Sequence, residues 1–419
     1  MVEGMSMSNP RPEGCARLEQ MSERRTPALA LLVLVQLVSS SVAETYEDRT
    51  TLRSAQGTCG SFPAIFSFGS SVADTGAGVL LRADSPAGSF PYGIDFPAPR
   101  SGRWSNGRLL VDLWAEAFGL PHLDPFLKAM RSSFSHGANF ACGGSRVTAS
   151  KGSGPVTLNL EVQVYQFKMF KRGVLAADGC PDGQKICSSS LPPASVFRDA
   201  LYIVASGAND LLSMIFSRAP IARIEAAIPE VSAAIISSVK ELYAEGARSI
   251  LVEDVYPIGC MPITLAANLS IYGEAALPDS SGCVQIFNQM ATMHNSFLKK
   301  EIASFGQLHP DASVALVDTY SIRLDLMTNP AKHGFKYGIA ACCGIEGLPW
   351  RFSNTDKCGV SSKPQPCADR SQYVVWDGLH YTEAANIATM EAFLTGKYFY
   401  PGIPIWNTTA SCSLLQVTM

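Results

Sequence analysis

An α/β fold, with a parallel sheet covered by helices on both faces, is the class this sequence predicts. Three observations predict it. Apolar runs of strand length recur at 64–69, 200–205, 249–255 and 313–319, rich in β-branched and aromatic residues. Longer stretches between them carry apolar residues at three-and-four spacing, the helical period. No internal repeat or linker interrupts this alternation, which is the pattern of βαβ units, so residues 61–400 are expected to form a single domain.

Residues 1–43 read as a targeting segment. Arg24 and Arg25 precede the apolar run from Ala28 to Val35, and Ser41-Val42-Ala43 supplies the small residues a signal peptidase prefers. That core is shorter than the ~20 apolar residues a spanning helix needs. Met21 would begin a signal peptide of ordinary length. Residues 44–60 are polar and expected to be a loose lead-in, tied down if Cys59 is bridged.

The run from Ala64 to Gly69 is the first strand, ending in the turn Gly69-Ser70-Ser71. Residues 82–107, rich in Gly, Pro and Ser, predict a long surface loop. A helix is expected from Asn106 or Gly107 to Phe118, with Leu109, Leu110, Leu113 and Trp114 on one face and Gly119 ending it. Residues 138–144 read as a short strand running into paired glycines, and 160–174 as an amphipathic helix carrying Leu160, Val164 and Phe167. The strand at 200–205 closes on Ser206-Gly207-Ala208-Asn209-Asp210. The next helix carries Val231, Ile235, Val239 and Leu242, with Pro229 near its start and Gly246 as its C-cap. A long helix at 283–305, a Cys- and Gly-rich excursion at 341–367 and a closing helix at 382–396 complete the domain, the last capped by Tyr381 or Thr382. Residues 401–419 are a tail.

A formal net charge of −3 and a pI near 6.1 leave no electrostatic footprint for nucleic acid. No later stretch is long and apolar enough for a membrane span, and no His/Cys cluster has zinc spacing, so neither a metal nor another cofactor is expected. Of the 12 cysteines, Cys15 falls in the targeting segment, and the odd remainder implies an unpaired thiol or an intermolecular bridge. Cys180 and Cys187 frame a Pro-Asp-Gly turn suited to a local disulfide, whereas pairing among Cys283, Cys342, Cys343, Cys358 and Cys367 is left open. Asn268 and Asn407 head glycosylation acceptor triplets, in keeping with a secretory route.

Four short patterns carry chemistry. Ser71 follows a strand and a glycine turn, where the carboxyl ends of parallel strands bind ligands. Asp377 and His380 are three apart, which in a helical turn brings the side chains together. A carboxylate on one ring nitrogen fixes the tautomer and leaves the other as a general base. Asn209 ends a strand, where its amide can donate to a developing oxyanion. Gly143-Gly144 allows a backbone N–H to approach a substrate oxygen closely. Each alone is more often an ordinary turn; their order along one chain is the specific signal.

In that order they resemble the plant GDSL-type esterase/lipase family, a branch of the SGNH hydrolases. Phe68-Gly69-Ser70-Ser71 stands where the family has Phe-Gly-Asp-Ser, and Asp377-Gly-Leu-His-Tyr-Thr-Glu-Ala-Ala385 is close to its final motif. Residues 102–108, 137–140, 257–262 and 341–344 are similar to further family segments. Ser70 replaces the family aspartate, Val72 a leucine and Ala77 an asparagine. The resemblance implies a three-layer α/β/α sandwich around a five-stranded parallel sheet. It implies Ser71 as nucleophile, His380 as base and Asp377 as its orienter, with an oxyanion hole of the Ser71 and Gly144 amides and the Asn209 side chain; Gly143 is adjacent, so the glycine is open by one position. The expected protein is a secreted, monomeric, cofactor-free serine hydrolase of small-molecule or lipid esters, in the apoplast or cell wall. Acyl transfer to an alcohol, or binding without turnover, are the alternatives.

Overall fold

The computed structural model describes residues 62–97, 102–128, 130, 132–148, 158–178, 190–267 and 269–401. The targeting segment, the lead-in, the Cys180–Cys187 turn, both glycosylation asparagines and the tail beyond 401 lie outside the described residues.

Five parallel strands form the centre of the sheet: β1 (Ile65–Gly69), β2 (Gly137–Asn139), β3 (Leu201–Ala205), β4 (Ser249–Glu253) and β5 (Ser313–Val317). They run in the order β2-β1-β3-β4-β5, with Ile65 opposite both Gly137 and Leu201. All five therefore point their carboxyl ends the same way. A sixth strand absent from the expectation, the two-residue β8 (Phe399–Tyr400), pairs antiparallel with β5 at the margin. At the other margin the three-residue β2 is bridged outward through Pro125. A separate parallel pair, β6 (Tyr337–Ala341) and β7 (Tyr373–Val375), flanks the excursion.

Side chains alternate across the strands and make two cores. Ile65, Leu201, Ile203 and Leu251 face one way, onto α2 (Leu110–Ala117), α4 (Ala208–Phe216), α7 (Thr319–Thr328) and α8 (Glu383–Leu394). Phe66, Phe68, Tyr202 and Val204 face the other, onto α3 (Leu160–Asp178) and α5 (Ile221–Ala244). The long α6 (Gln285–Leu308) contributes to both. Phe66 and Phe68 are fully buried, each worth roughly 2–3 kcal/mol. The chain is thus an α/β/α sandwich.

Three expectations need correction. The helix expected to start near Pro229 starts at Ile221, with the proline in its interior. Pro229 lies on the exposed face, where a carbonyl left without its amide partner is hydrated, and Ile224 and Ile228 extend the buried stripe. Asn209 and Asp210 occupy the first turn of α4, not a loose turn. The described parts of this stretch, 82–97 and 102–107, are not wholly a surface loop: Ser85, Ala87, Tyr92, Arg103, Ser105 and Asn106 are buried, while Phe90 is exposed. Part of the polarity there is paired internally, as in the Arg103–Asp112 pair, so composition alone misreads the segment.

The cysteines pair as Cys260–Cys283, Cys342–Cys367 and Cys343–Cys358. Cys142 is the one free thiol among the described residues, and burial pushes it up to about 11, which keeps it protonated.

Candidate active site

The turn after β1 is built around Gly69. Its φ of 143° is open to glycine, and a Cβ there would lie 2.1 Å from the Ala205 carbonyl oxygen. Gln163 of α3 clamps the Gly69 peptide from the side: its Nε2 donates to the Gly69 carbonyl at 2.8 Å, and the Gly69 amide donates to its Oε1 at 2.7 Å. The Ser70 amide extends the ladder to Ala205, and the Ala73 amide donates back to the Ser70 carbonyl. Ser71 is thereby held at the top of a closed turn.

Asp74 locks that turn to its neighbour. Its carboxylate accepts from the amides of Gly76, Ala77 and Gly78 at the start of α1 (Ala77–Leu81). It also accepts from the Gly143 amide, 2.7 Å away, on the loop after β2.

The other half comes from the carboxyl end of the domain. β7 leads into Trp376, whose amide donates to the His380 carbonyl at 2.7 Å, closing a tight loop over 376–380. The Leu379 and His380 amides donate to Asp377 Oδ1 at 2.9 and 3.0 Å. The three-residue spacing therefore works through an Asx-type turn rather than the helical turn expected. Gly378, with φ 126° and no room for a Cβ, which would lie 2.3 Å from the Phe352 ring, makes that turn possible. α8 begins just after, capped by the Thr382 hydroxyl, which accepts from the Ala385 amide.

These two halves meet. His380 Nδ1 lies 2.7 Å from Asp377 Oδ2, and His380 Nε2 lies 2.8 Å from Ser71 Oγ. All three residues are less than a tenth exposed. Burial opposes ionisation of Asp377, but the His380 ring beside it and the hydrogen bonds from His380, Tyr92 and the Leu379 amide prevail and hold the carboxyl at about 2. An ionised Asp377 only accepts, so Nδ1 carries the ring proton and Nε2 offers its lone pair to the serine hydroxyl.

The remaining expected residues follow the neighbouring strands β2 and β3. Asn209 Nδ2 donates one hydrogen to the Ser145 carbonyl at 2.8 Å, and its second hydrogen remains for another acceptor. Asp210 accepts from the Val147 amide, so the start of α4 grips the loop after Gly144 twice. The Gly143 amide is committed to Asp74, whereas Gly144 is exposed.

Asp74, Tyr92, Trp104 and Gln163 also shape the site without having been singled out in the sequence. Tyr92 donates to Asp377 Oδ2 at 2.5 Å. The Trp104 ring lies 5.0 Å from the His380 ring. Asp74 alone had a signal, standing three residues after Ser71 in an Asp-Thr-Gly turn. On the far side of the turn, Ser70, Ser206, Glu253 and Arg323 line a water-sized cavity. Neither Ser206 Oγ nor Arg323 Nε has a hydrogen-bond partner there. Among the described residues no group of three acidic, histidine or cysteine side chains is placed to hold a metal ion.

The sequence pattern of the GDSL-like lipase/acylhydrolase family matches residues 65–393. The chain is 34% identical over 393 residues to the GDSL esterase/lipase ENOD8 of Medicago truncatula, covering 91% of this chain and 96% of that one. It is 35% identical over 370 residues to a protein of Hevea brasiliensis named Esterase, covering 85% and 90%. It is 33% identical over 375 residues to Alpha-L-fucosidase 3 of Arabidopsis thaliana, covering 86% and 95%. Among solved structures, phospholipase A1 from Streptomyces albidoflavus NA297 aligns at a TM-score of 0.35 and 13% identity, covering 80% of this chain and all of that one, a likeness too low to bear on function.

Proposed function

Because this chain belongs to the GDSL-like lipase/acylhydrolase family, with relatives named esterase/lipase and esterase, we propose that it is a secreted serine hydrolase working through an acyl-enzyme. One observation carries the reading: the unbroken row from Ser71 through His380 to Asp377, with contacts of 2.8 and 2.7 Å. In this mechanism Ser71 Oγ attacks the ester carbonyl while His380 Nε2 takes its proton. The oxyanion accepts hydrogen bonds from the Ser71 and Gly144 amides and the Asn209 side chain. Gly144 is preferred to Gly143 because the latter's amide already serves Asp74. Collapse expels the alcohol, which takes the proton from His380. Water, deprotonated by His380, then attacks the acyl-enzyme and releases the acid and Ser71. Asp377 takes no proton; it holds the tautomer and stabilises the imidazolium.

The signal-like segment and three disulfides support secretion. Passing the acyl group to an alcohol uses the same intermediate, and product analysis with and without added alcohol distinguishes it. The fucosidase name among the relatives makes glycoside cleavage the other reading. That chemistry ordinarily uses two carboxyl groups roughly 5–9.5 Å apart across the bond, and the row here offers one carboxylate, already engaged with an imidazole.

The deciding experiment is labelling of the mature protein with a fluorophosphonate, followed by peptide mapping. An adduct on Ser71 together with cleavage of a short aryl ester is the expected result. An unlabelled protein that binds esters without turnover, or one that cleaves only an aryl fucoside, overturns the reading.

A further inference from the structure

Two hydrogen-bond donors share one oxygen in this site. Tyr92 and His380 Nδ1 both reach Asp377 Oδ2, at 2.5 and 2.7 Å, while Oδ1 is occupied by the two amides of its own turn. Those amides already orient the carboxylate. The phenol, from 285 residues earlier in the chain, acts instead on the oxygen that faces the imidazole.

We propose that Tyr92 is a positioning residue that sets how far toward acid His380 can serve as the base, by drawing on Asp377 Oδ2. The inference rests on the reading of Ser71 as nucleophile. A carboxylate oxygen that already accepts a strong hydrogen bond offers less negative charge to a second donor. It therefore favours the imidazolium less, and activity persists further into the acid range.

The surroundings fit this role. Burial, then the Asp377 charge, pushes the Tyr92 phenol well above its ordinary range, so it remains a donor throughout. Its ring is wedged edge-on against Trp104 and Trp376, with ring centres 5.7 and 6.1 Å away. Gly359 packs against it so closely that a Cβ there would meet the ring at 2.9 Å, and the neighbouring Cys343–Cys358 bridge holds that segment. Trp104, over the His380 ring, carries no charge. Tyr256, after β4, also feels Asp377; Arg323 lies 5.9 Å from its ring.

The test is the pH dependence of fluorophosphonate labelling at Ser71, and of kcat/KM on an aryl ester, for Tyr92→Phe. A second protein carries 3-fluorotyrosine at the same position, where the more acidic phenol is the stronger donor. The acidic midpoint should rise by about half a pH unit or more in the phenylalanine variant and fall in the fluorinated protein. Midpoints that coincide with wild type within about 0.2 unit overturn the proposal, even if rates drop, because loss of packing alone lowers rates without moving a midpoint. Absence of Ser71 labelling in the wild type would instead sink the hydrolase reading. The His380 imidazole titration followed by NMR in wild type and Tyr92→Phe would then decide the role of Tyr92 by the same upward shift or its absence.

Discussion

Ser70 and Ser71 are consecutive, yet they face different compartments. Ser71 Oγ touches His380 Nε2 at 2.8 Å, while Ser70 lines the water-sized cavity shared with Glu253 and Arg323. Successive positions at a strand end point to opposite sides, and here the two sides differ in chemistry. Ser71→Ala should lower ester hydrolysis by more than a thousandfold. Ser70→Ala should keep most of it, and Ser70→Asp should retain or improve activity, because the new carboxylate meets Arg323, whose Nε lacks a partner. Steady-state turnover of the three variants checks this; a dead Ser70→Ala beside an active Ser71→Ala would refute the assignment.

Asp377→Asn should leave the fold intact and reduce kcat by about 10⁴-fold. The asparagine oxygen can still accept from the Leu379 and His380 amides. Its NH₂ then replaces Oδ2 and donates to His380 Nδ1, which forces the ring proton onto Nε2, facing Ser71. The hydroxyl has no base in that tautomer. Unchanged thermal unfolding with near-complete loss of turnover is the expected pair of measurements.

Asn209→Ala should cost about 10²–10³ in kcat with little change in KM, the signature of a donor used in the transition state. Asp210 keeps its hold on the Val147 amide, so the loop after Gly144 retains one of its two anchors. An equal rise in KM with kcat preserved would place Asn209 in substrate binding instead.

Glu253 should make the protein lose stability as the solution becomes neutral. Burial, partly opposed by Arg323, pushes its carboxyl up to about 7, against ~4.3 in an unfolded chain. Between those values the folded state holds the extra proton, so stability is highest on the acid side and falls as pH rises. Glu253→Gln has no such proton to lose. Its stability relative to wild type should rise by on the order of 3 kcal/mol between about pH 5 and about pH 8. Chemical denaturation at both pH values tests the direction, and a constant difference would refute it.

How much of this was legible in the sequence depended on the distance over which each contact acts. The four longer parallel strands and the residues meeting at 71, 377 and 380 announce themselves through local composition and short motifs. Tyr92 and Gln163 do not, since their partners are 285 and 94 residues away, and the Asp-Thr-Gly turn around Asp74 gives no hint of its partner 69 residues on. The Gly- and Pro-rich character of 82–107 suggested solvent, but burial there is made tolerable by long-range pairing such as the Ser105 hydroxyl donating to the Tyr381 carbonyl, invisible to any local window. Pro229 misled in the same way: a helix-starting residue by its local chemistry, it sits inside the helix, carried by the stripe of Ile224, Ile228 and Val231 packed beneath it.

The two margins of the sheet bear on how long such a molecule survives in solution. A strand left open at the edge is a template on which another chain can add, copy after copy. Here one margin is a two-residue strand running against the rest, and the other is three residues long with Pro125 beside it. Neither offers the length of unpaired backbone that a fibril needs. The short ends of the sheet therefore present little template for the addition of further copies.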